Sequence, residues 1–518
     1  VGDHFASAGA RRRLASTSVN HPLRTFSLRR LLATIVLVLV LAPPAWAQAG
    51  GAGPDPRFGL VEAFWDAQAA AESGAGWERI LFLWSAIQPN GPDDWNGFQV
   101  PDAPLEAARA AGREVVGVLK STPAWATDGP PVSGVPRGLD LPPDDPGNLW
   151  ASFVRKVVAH YAPKGVHRWV IWNEPEIDPG VSGHEWSGGV DDYAKLLRVA
   201  YLVAKAAAPQ ARIHLAGLSY WHDAVRGREQ YLERLLTALD RDPQAARHGY
   251  YFDVASLHIY FTSDSVFTIV RTFRDILRRH GLNKPIWINE TNAAPDRDPD
   301  WPVNRPNFHV TPEQQSAFLL QAFALGLAAG AERIAVYKLI DPALPPGGED
   351  FGLLRPDGSR RPAFTAFQTI TRYYAGTQAA FLDQMTAVTQ VTLDQGGRTT
   401  RVLWARTPGR VFVRLPAFAP AALLVDRTGA TQMLQAERGA YTLELPGASC
   451  DPVDGCIIGG PTFLLVEEAS PRQPASPEII PLRRIILERV TSPPVLLASL
   501  LVLAIIGLAY WRRRVAGG

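Results

Sequence analysis

The sequence predicts an α/β chain: a (β/α)8 TIM barrel, then a small antiparallel β-domain and a C-terminal transmembrane helix. Three observations carry this. Eight short apolar runs alternate with Ala- and Leu-rich helical stretches between residues 57 and 380. From 385 to 468 the period shortens to alternating strand-like runs broken by Gly and Pro turns. Near the end, an uncharged apolar run stands directly before three arginines.

At the N-terminus, Arg29 and Arg30 precede the apolar run Leu31–Leu41, and Pro43, Pro44 and Ala45-Trp46-Ala47 follow it. Positive charge, apolar stretch and small residues in that order make a secretory signal peptide, 1–47, cleaved after Ala47. The run is short for a hydrocarbon core of about 30 Å, although an uncleaved anchor is the alternative.

The barrel is expected over 57–380. Its strands are read at Gly59–Phe64, Arg79–Trp84, Glu114–Lys120, Arg168–Trp172, Arg212–Gly217, Phe252–His258, Pro285–Asn289 and Arg333–Leu339. The intervening helices include Pro104–Ala111, Leu149–Tyr161, Asp191–Ala207, Gln230–Leu239, Val266–His280, Pro312–Ala329 and Arg361–Tyr374. Strands that each lead into a helix must run parallel. An open doubly wound sheet would carry a Gly-rich phosphate turn after its first strand, whereas Phe64-Trp65-Asp66 stands there.

In the β-domain, 385–468, strands are read at Ala387–Leu393, Thr400–Trp404, Val411–Leu415, Ala422–Val425, Ala440–Leu445 and Thr462–Val466. Cys450 and Cys456 lie close together in this exported part, and a disulfide is expected. Residues 469–493 read as a tether with a short helix at Leu482–Val490. The run 494–511 has the length of a membrane span, and 512–518 form a cytoplasmic tail. The chain is thus expected to be exported and anchored in the cell membrane, with its barrel outside.

Charge narrows the partners. Of the net +2, the first 30 residues hold +5 and Arg512–Arg514 hold +3, which leaves −6 between them. An acidic globular part without a basic stripe excludes nucleic acid as an expected partner. The sequence says nothing of oligomeric state. No metal and no cofactor are expected: His184-Glu185-Trp186 lacks the second His of a zinc helix, and the Gly pairs lack the Lys-Ser/Thr of a phosphate loop.

In such barrels chemistry gathers at the C-terminal ends of the strands. Trp172-Asn173-Glu174-Pro175 ends strand 4, and Asn289-Glu290-Thr291 ends strand 7. Two carboxyls on one rim suit cleavage of a glycosidic bond, where one must hold its proton for the leaving oxygen while the other stays ionised to attack. The chain has 15 Trp, and rim aromatics can pack on sugar faces. The candidates are Trp65, Trp84, Trp125, Trp186, Trp301 and Tyr337.

The Asn-Glu-Pro run on strand 4, with a Glu closing strand 7, resembles the clan A retaining glycoside hydrolases, and most closely families 39 and 5. Phe82-Leu83-Trp84-Ser85-Ala86-Ile87-Gln88-Pro89, Ser121-Thr122-Pro123-Ala124-Trp125-Ala126, Ser256-Leu257-His258-Ile259-Tyr260 and Phe351-Gly352-Leu353-Leu354 follow the order of the clan's motifs. The resemblance implies Glu174 as general acid/base and Glu290 as nucleophile. It further implies Asn173 on the sugar 2-hydroxyl, Tyr260 donating to Glu290, His258 lining the pocket and Arg79 beneath Glu290. At the end of strand 8, where the clan often has Trp, this sequence has Tyr337-Lys338.

The expected activity is a retaining O-glycosyl hydrolase on β-linked sugars: a β-xyloside, a β-glucoside or a polysaccharide fragment. A transglycosylase and a non-catalytic surface protein that binds glycans are the alternatives.

Overall fold

The computed structural model describes residues 53–484, except 304, 305, 307, 343–349 and 472–474, together with 501–506 and 508. Eight parallel strands close into a barrel: β1 Phe58–Val61, β2 Trp77–Leu83, β3 Glu114–Lys120, β4 Arg168–Asn173, β5 Arg212–Ser219, β6 Val254–Tyr260, β7 Ile286–Asn292 and β8 Arg333–Val336. β1 pairs with β8 at Phe58↔Ile334 and Leu60↔Val336, which closes the ring. Eight helices follow the strands: α1 Ala67–Ser73, α2 Asp102–Ala110, α3 Leu149–Tyr161, α4 Val190–Ala207, α5 Tyr231–Leu239, α6 Ser265–Arg279, α7 Pro312–Ala329 and α8 Pro362–Tyr373.

Side chains alternate across each strand, so one set fills the barrel. Val61, Trp77, Val116, Val118, Val170, Val254, Trp287 and Ala335 form that inner core, with Leu81 and Tyr337 packed against it. Ring contacts close its floor, Trp77 on Trp287 at 5.0 Å.

Several boundaries differ from the expectation. β1 stops at Val61, because Ala63–Trp65 turn into a 3-10 helix. β2 ends before Trp84, which opens the one-turn helix Trp84–Ile87. β7 runs on to Asn292 and carries Glu290 within it. α1 has no run of large apolar residues and buries only Ala69, Ala70 and Ser73.

Helix α7 is buried nearly throughout, because it packs inward on the barrel and outward on the β-domain. Its start is well specified. Thr311 Oγ1 accepts from Gln314 N–H at 3.2 Å, and Gln314 Oε1 accepts from Thr311 N–H at 2.9 Å. Pro312 occupies the first turn and Gly330 the left-handed cap.

The β-domain has two sheets. Six strands run in the order β14-β13-β16-β11-β10-β9, and three in the order β15-β12-β17. Their ranges are β9 Ala379–Gln384, β10 Val388–Asp394, β11 Thr399–Ala405, β12 Val411–Pro416, β13 Ala421–Val425, β14 Thr431–Gln435, β15 Ala440–Leu445, β16 Phe463–Glu467 and β17 Glu478–Ile480. Val388, Leu403, Val413, Leu443 and Leu465 lie in the core between them. Three strands, β9, β14 and β17, go beyond the expected six, and all three are sheet edges. β17 comes from the stretch read as a tether and pairs with β12. Cys450 and Cys456 form a disulfide.

The stretch read as a signal peptide, 1–47, lies outside the described residues, as does most of 494–511; of that run 501–506 and 508 are helical. Among the described residues no helix is long and apolar enough to cross a membrane. Of the short helix read at Leu482–Val490, 482–484 are helical and the rest lies outside the described residues.

Candidate active site

The C-terminal ends of β4, β6 and β7, with Arg79 from the first half of β2, bring one set of polar side chains together. β7 shifts register against β8 between Ile288 and Thr291, and β6 shifts against β7 between Leu257 and His258. Such bulges re-aim side chains. Here they fall at Glu290 and His258. Glu174 follows β4 with φ 38°, in the left-handed region, and its N–H donates to Gly217 O at 3.2 Å. Gly217 is needed there: a Cβ on it would fall 1.9 Å from His258 Nε2.

The side chains form one network. Arg79 and the Tyr260 hydroxyl both donate to Glu290. His258 Nδ1 lies 2.7 Å from Glu174 Oε1 and 3.4 Å from Glu290 Oε2. His258 Nε2 lies 3.4 Å from Arg79 Nη1. Nδ1 faces oxygens of both carboxyls, so Nδ1–H is the donor to Glu174. One oxygen of Glu174, one of Glu290 and a nitrogen of His258 fall within 4.8 Å of one another.

Burial pushes the Glu290 carboxyl up, but Arg79, His258 and Tyr260 outweigh it and hold it below the usual carboxylate range. The Tyr260 hydroxyl is pushed well up by burial and by Glu290, so it keeps the proton it donates. Glu176, two residues past Glu174, is enclosed at 4% exposure. Burial and the neighbouring Glu174 push its carboxyl up to about 8, against the Ser219 N–H that donates to it at 2.5 Å.

Tyr337 packs beside the network, its ring 6.2 Å from that of Tyr260. Asn173 ends β4 and is half-buried. Trp125 is half-buried on the rim, held by its indole N–H to Gln88 O at 2.7 Å. Trp84 and Trp186, read as sugar platforms, are enclosed instead, at 0% and 2% exposure. Trp84 stacks on Phe153 at 4.9 Å, and Trp186 packs on Trp172 at 4.9 Å. Trp65 is 65% exposed and packs on Phe64. Trp301 is half-buried on the loop after β7.

Sequence reasoning missed several charged residues at this rim, Glu176 among them. Lys120, the last residue of β3, lies 2.5 Å from Glu185 Oε2. Lys338 lies 3.1 Å from Glu62 Oε2. In β3 the alternation from Val116 and Val118 carries inward to Lys120, the one signal that could have found it.

Glu174, His258 and Glu290 could between them offer a metal three ligand atoms. Their hydrogen bonding suits proton transfer better: His258 Nδ1 is committed as a donor, and Arg79 already supplies the cation beside Glu290. His309, Asp451 and Asp454 form a second such group. There Arg297 pairs with Asp451 at 2.6 Å and His309 with Asp454 at 2.9 Å, which fastens the disulfide loop to the loop after β7.

The architecture matches solved structures of carbohydrate-cleaving enzymes. A family 39 glycoside hydrolase from Bacteroides cellulosilyticus is 16% identical, with 80% of this chain and 81% of that chain covered and a TM-score of 0.58. A family 39 β-xylosidase from Caulobacter crescentus is 15% identical over 81% of this chain and 98% of that chain, TM-score 0.53. A family 30 endoxylanase from Clostridium papyrosolvens is 12% identical over 81% and 98%, TM-score 0.52. This chain shares the fold of family 39 and family 30 glycoside hydrolases. Neither a protein-family model nor a curated protein matches its sequence.

Proposed function

We propose that this chain is a retaining glycoside hydrolase that cleaves β-linked sugars by double displacement. The observation that carries the reading is the approach of the Glu174 and Glu290 carboxyls, oxygen to oxygen within 4.8 Å. Retaining enzymes hold their two carboxyls about 5–5.5 Å apart, while inverting ones leave about 6.5–9.5 Å for a water.

In the first step the Glu290 carboxylate attacks the anomeric carbon, and Glu174 gives its proton to the leaving oxygen. A glycosyl ester on Glu290 results. In the second step Glu174, now a carboxylate, takes a proton from water. That water's oxygen attacks the anomeric carbon and frees Glu290. Arg79 and Tyr260 keep Glu290 ionised and aimed, which fits the lowered range of its carboxyl. His258 bridges the two carboxyls, and Asn173 holds the sugar 2-hydroxyl.

Similarity to a β-xylosidase and an endoxylanase favours xylosides and related β-glycosides as substrates. The N-terminal and C-terminal apolar runs support export and a membrane anchor, with the barrel outside. Cell fractionation with protease shaving of intact cells tests that placement.

The catalytic test is a panel of aryl β-glycosides with Glu290→Ala and Glu174→Ala. Glu290→Ala is expected to lose at least ~10³-fold in kcat. Glu174→Ala is expected to lose about 10²–10⁴-fold on poor leaving groups and much less on activated ones, which need little protonation. Unchanged turnover in Glu290→Ala contradicts the mechanism. Product analysis with added sugar acceptors separates hydrolysis from transfer.

A further inference from the structure

The rim just past β8 and β1 carries a charged pair that the catalytic steps leave unused. Lys338 Nζ lies 3.1 Å from Glu62 Oε2, with side-chain exposures of 14% and 18%. Short links tie the pair to the reacting centre. Glu62 N–H donates to Arg79 O at 3.0 Å, and the Arg79 guanidinium donates to Glu290. Lys338 Nζ stands 5.7 Å from the centre of the Tyr337 ring. The Tyr337 ring stands 6.2 Å from that of Tyr260, whose hydroxyl donates to Glu290, so the pair borders the catalytic end of the barrel.

We propose that Glu62 and Lys338 form the sugar-reading wall of the catalytic site and select a neutral sugar over a uronic acid. The inference rests on the glycosidase reading and names the substrate class of that site. A sugar hydroxyl both donates and accepts, a carboxylate accepts, and an ammonium donates. Side by side, Glu62 and Lys338 can bond vicinal hydroxyls, and between largely buried side chains such bonds discriminate strongly. A uronic acid would bring a fourth carboxyl to Glu62, Glu174 and Glu290. The cations near them, Arg79 and Lys338, are already paired. Like charges in one site disfavour each other.

A simple tie across the β8–β1 seam would affect all sugars alike, and the test uses that. The full-length protein, Glu62→Gln and Lys338→Met are compared by kcat/KM on 4-nitrophenyl β-D-xyloside, β-D-glucoside and β-D-glucuronide. Circular dichroism gives the folded fraction of each. The wild type is expected to prefer the neutral glycosides by about 100-fold. Glu62→Gln frees the charge of Lys338 and is expected to narrow that preference at least ~10-fold. Lys338→Met is expected to raise KM on the neutral glycosides about 10-fold, more than it lowers kcat. An unchanged preference in Glu62→Gln, or a wild type that prefers the glucuronide, overturns the proposal. Saturation-transfer NMR with free xylose, glucose and glucuronate separates it from the hydrolase reading. Selective binding of the neutral sugars without cleavage keeps the wall and rejects hydrolysis, whereas no such selectivity rejects the wall.

Discussion

The barrel has charged clusters at both ends, and they are built differently. At the N-terminal end of its strands, Glu114 meets Arg168 at 2.7 Å and Arg333 at 2.5 Å. Both guanidinium groups lie over the Trp287 ring, at 5.0 and 4.3 Å. Burial pushes Glu114 up, but the two arginines outweigh it and hold it below the usual carboxylate range. At the other end the ratio reverses. Glu174 and Glu290 converge on one arginine and one histidine, with enclosed Glu176 close by. A cluster with cations in excess rests in one protonation state, as structure requires. A cluster with carboxyls in excess has a proton to move, as catalysis requires.

This contrast can be broken by mutation. The largest expected effect is the one on turnover: Glu290→Ala abolishes it, whereas Glu114→Gln leaves kcat/KM of the folded protein unchanged. Glu114→Gln should instead lower the melting temperature, for a loss of roughly 1–3 kcal/mol from the severed charged hydrogen bonds. If Glu114→Gln damaged turnover as Glu290→Ala does, the division of labour would be wrong.

Glu176 sharpens the comparison through pH. Its carboxyl is raised to about 8 in the fold from an ordinary 4.5, so the folded state binds the extra proton between those values. Its stability contribution is complete below about 4.5 and is lost as pH rises towards 8. Relative to wild type, Glu176→Gln should therefore gain stability from pH 5 to pH 8, by on the order of 4 kcal/mol. Denaturant melts at the two pH values measure this, and a constant difference between the proteins would refute it.

The opposite end has the opposite sign and the smallest expected effect. His214 on β5 is fully enclosed, 4.6 Å from the Trp287 ring, and neither ring nitrogen has a hydrogen-bond partner among the described residues. Burial, with Arg168 and Arg333, pushes it well below the usual 6.5. Its contribution is complete above 6.5 and is lost as pH falls below that value. His214→Asn should lessen the fall in melting temperature between pH 7 and pH 5. A steeper fall in the variant would contradict the assignment.

What was legible in the sequence follows from burial. The barrel strands are buried on both faces and read as Val-, Ile- and Trp-rich runs, so all eight could be located. The strands missed, β9, β14 and β17, are edges, where one neighbour is absent and polar residues are tolerated. At the site, Glu174 and Glu290 were legible because each stands in a recognisable run at the C-terminal end of a strand, Glu174 just past β4 and Glu290 near the end of β7. Glu62, Lys120, Glu185 and Lys338 were not, because each gains its meaning from a partner distant in sequence. Trp84 and Trp186 were over-read for a related reason. A rim position does not reveal which way a ring turns, and both turn into the layer behind the rim.

The central claim is that Glu290 forms a covalent ester with the sugar, and intact-protein mass spectrometry tests it directly. Wild type and Glu290→Gln would be incubated with 2,4-dinitrophenyl 2-deoxy-2-fluoro-β-D-xyloside and its glucoside counterpart. The expected result is a single added fluorosugar, located by peptide mapping on Glu290 and missing from Glu290→Gln. A label on any other residue would contradict the claim, as would no label on a protein that turns over the parent glycoside.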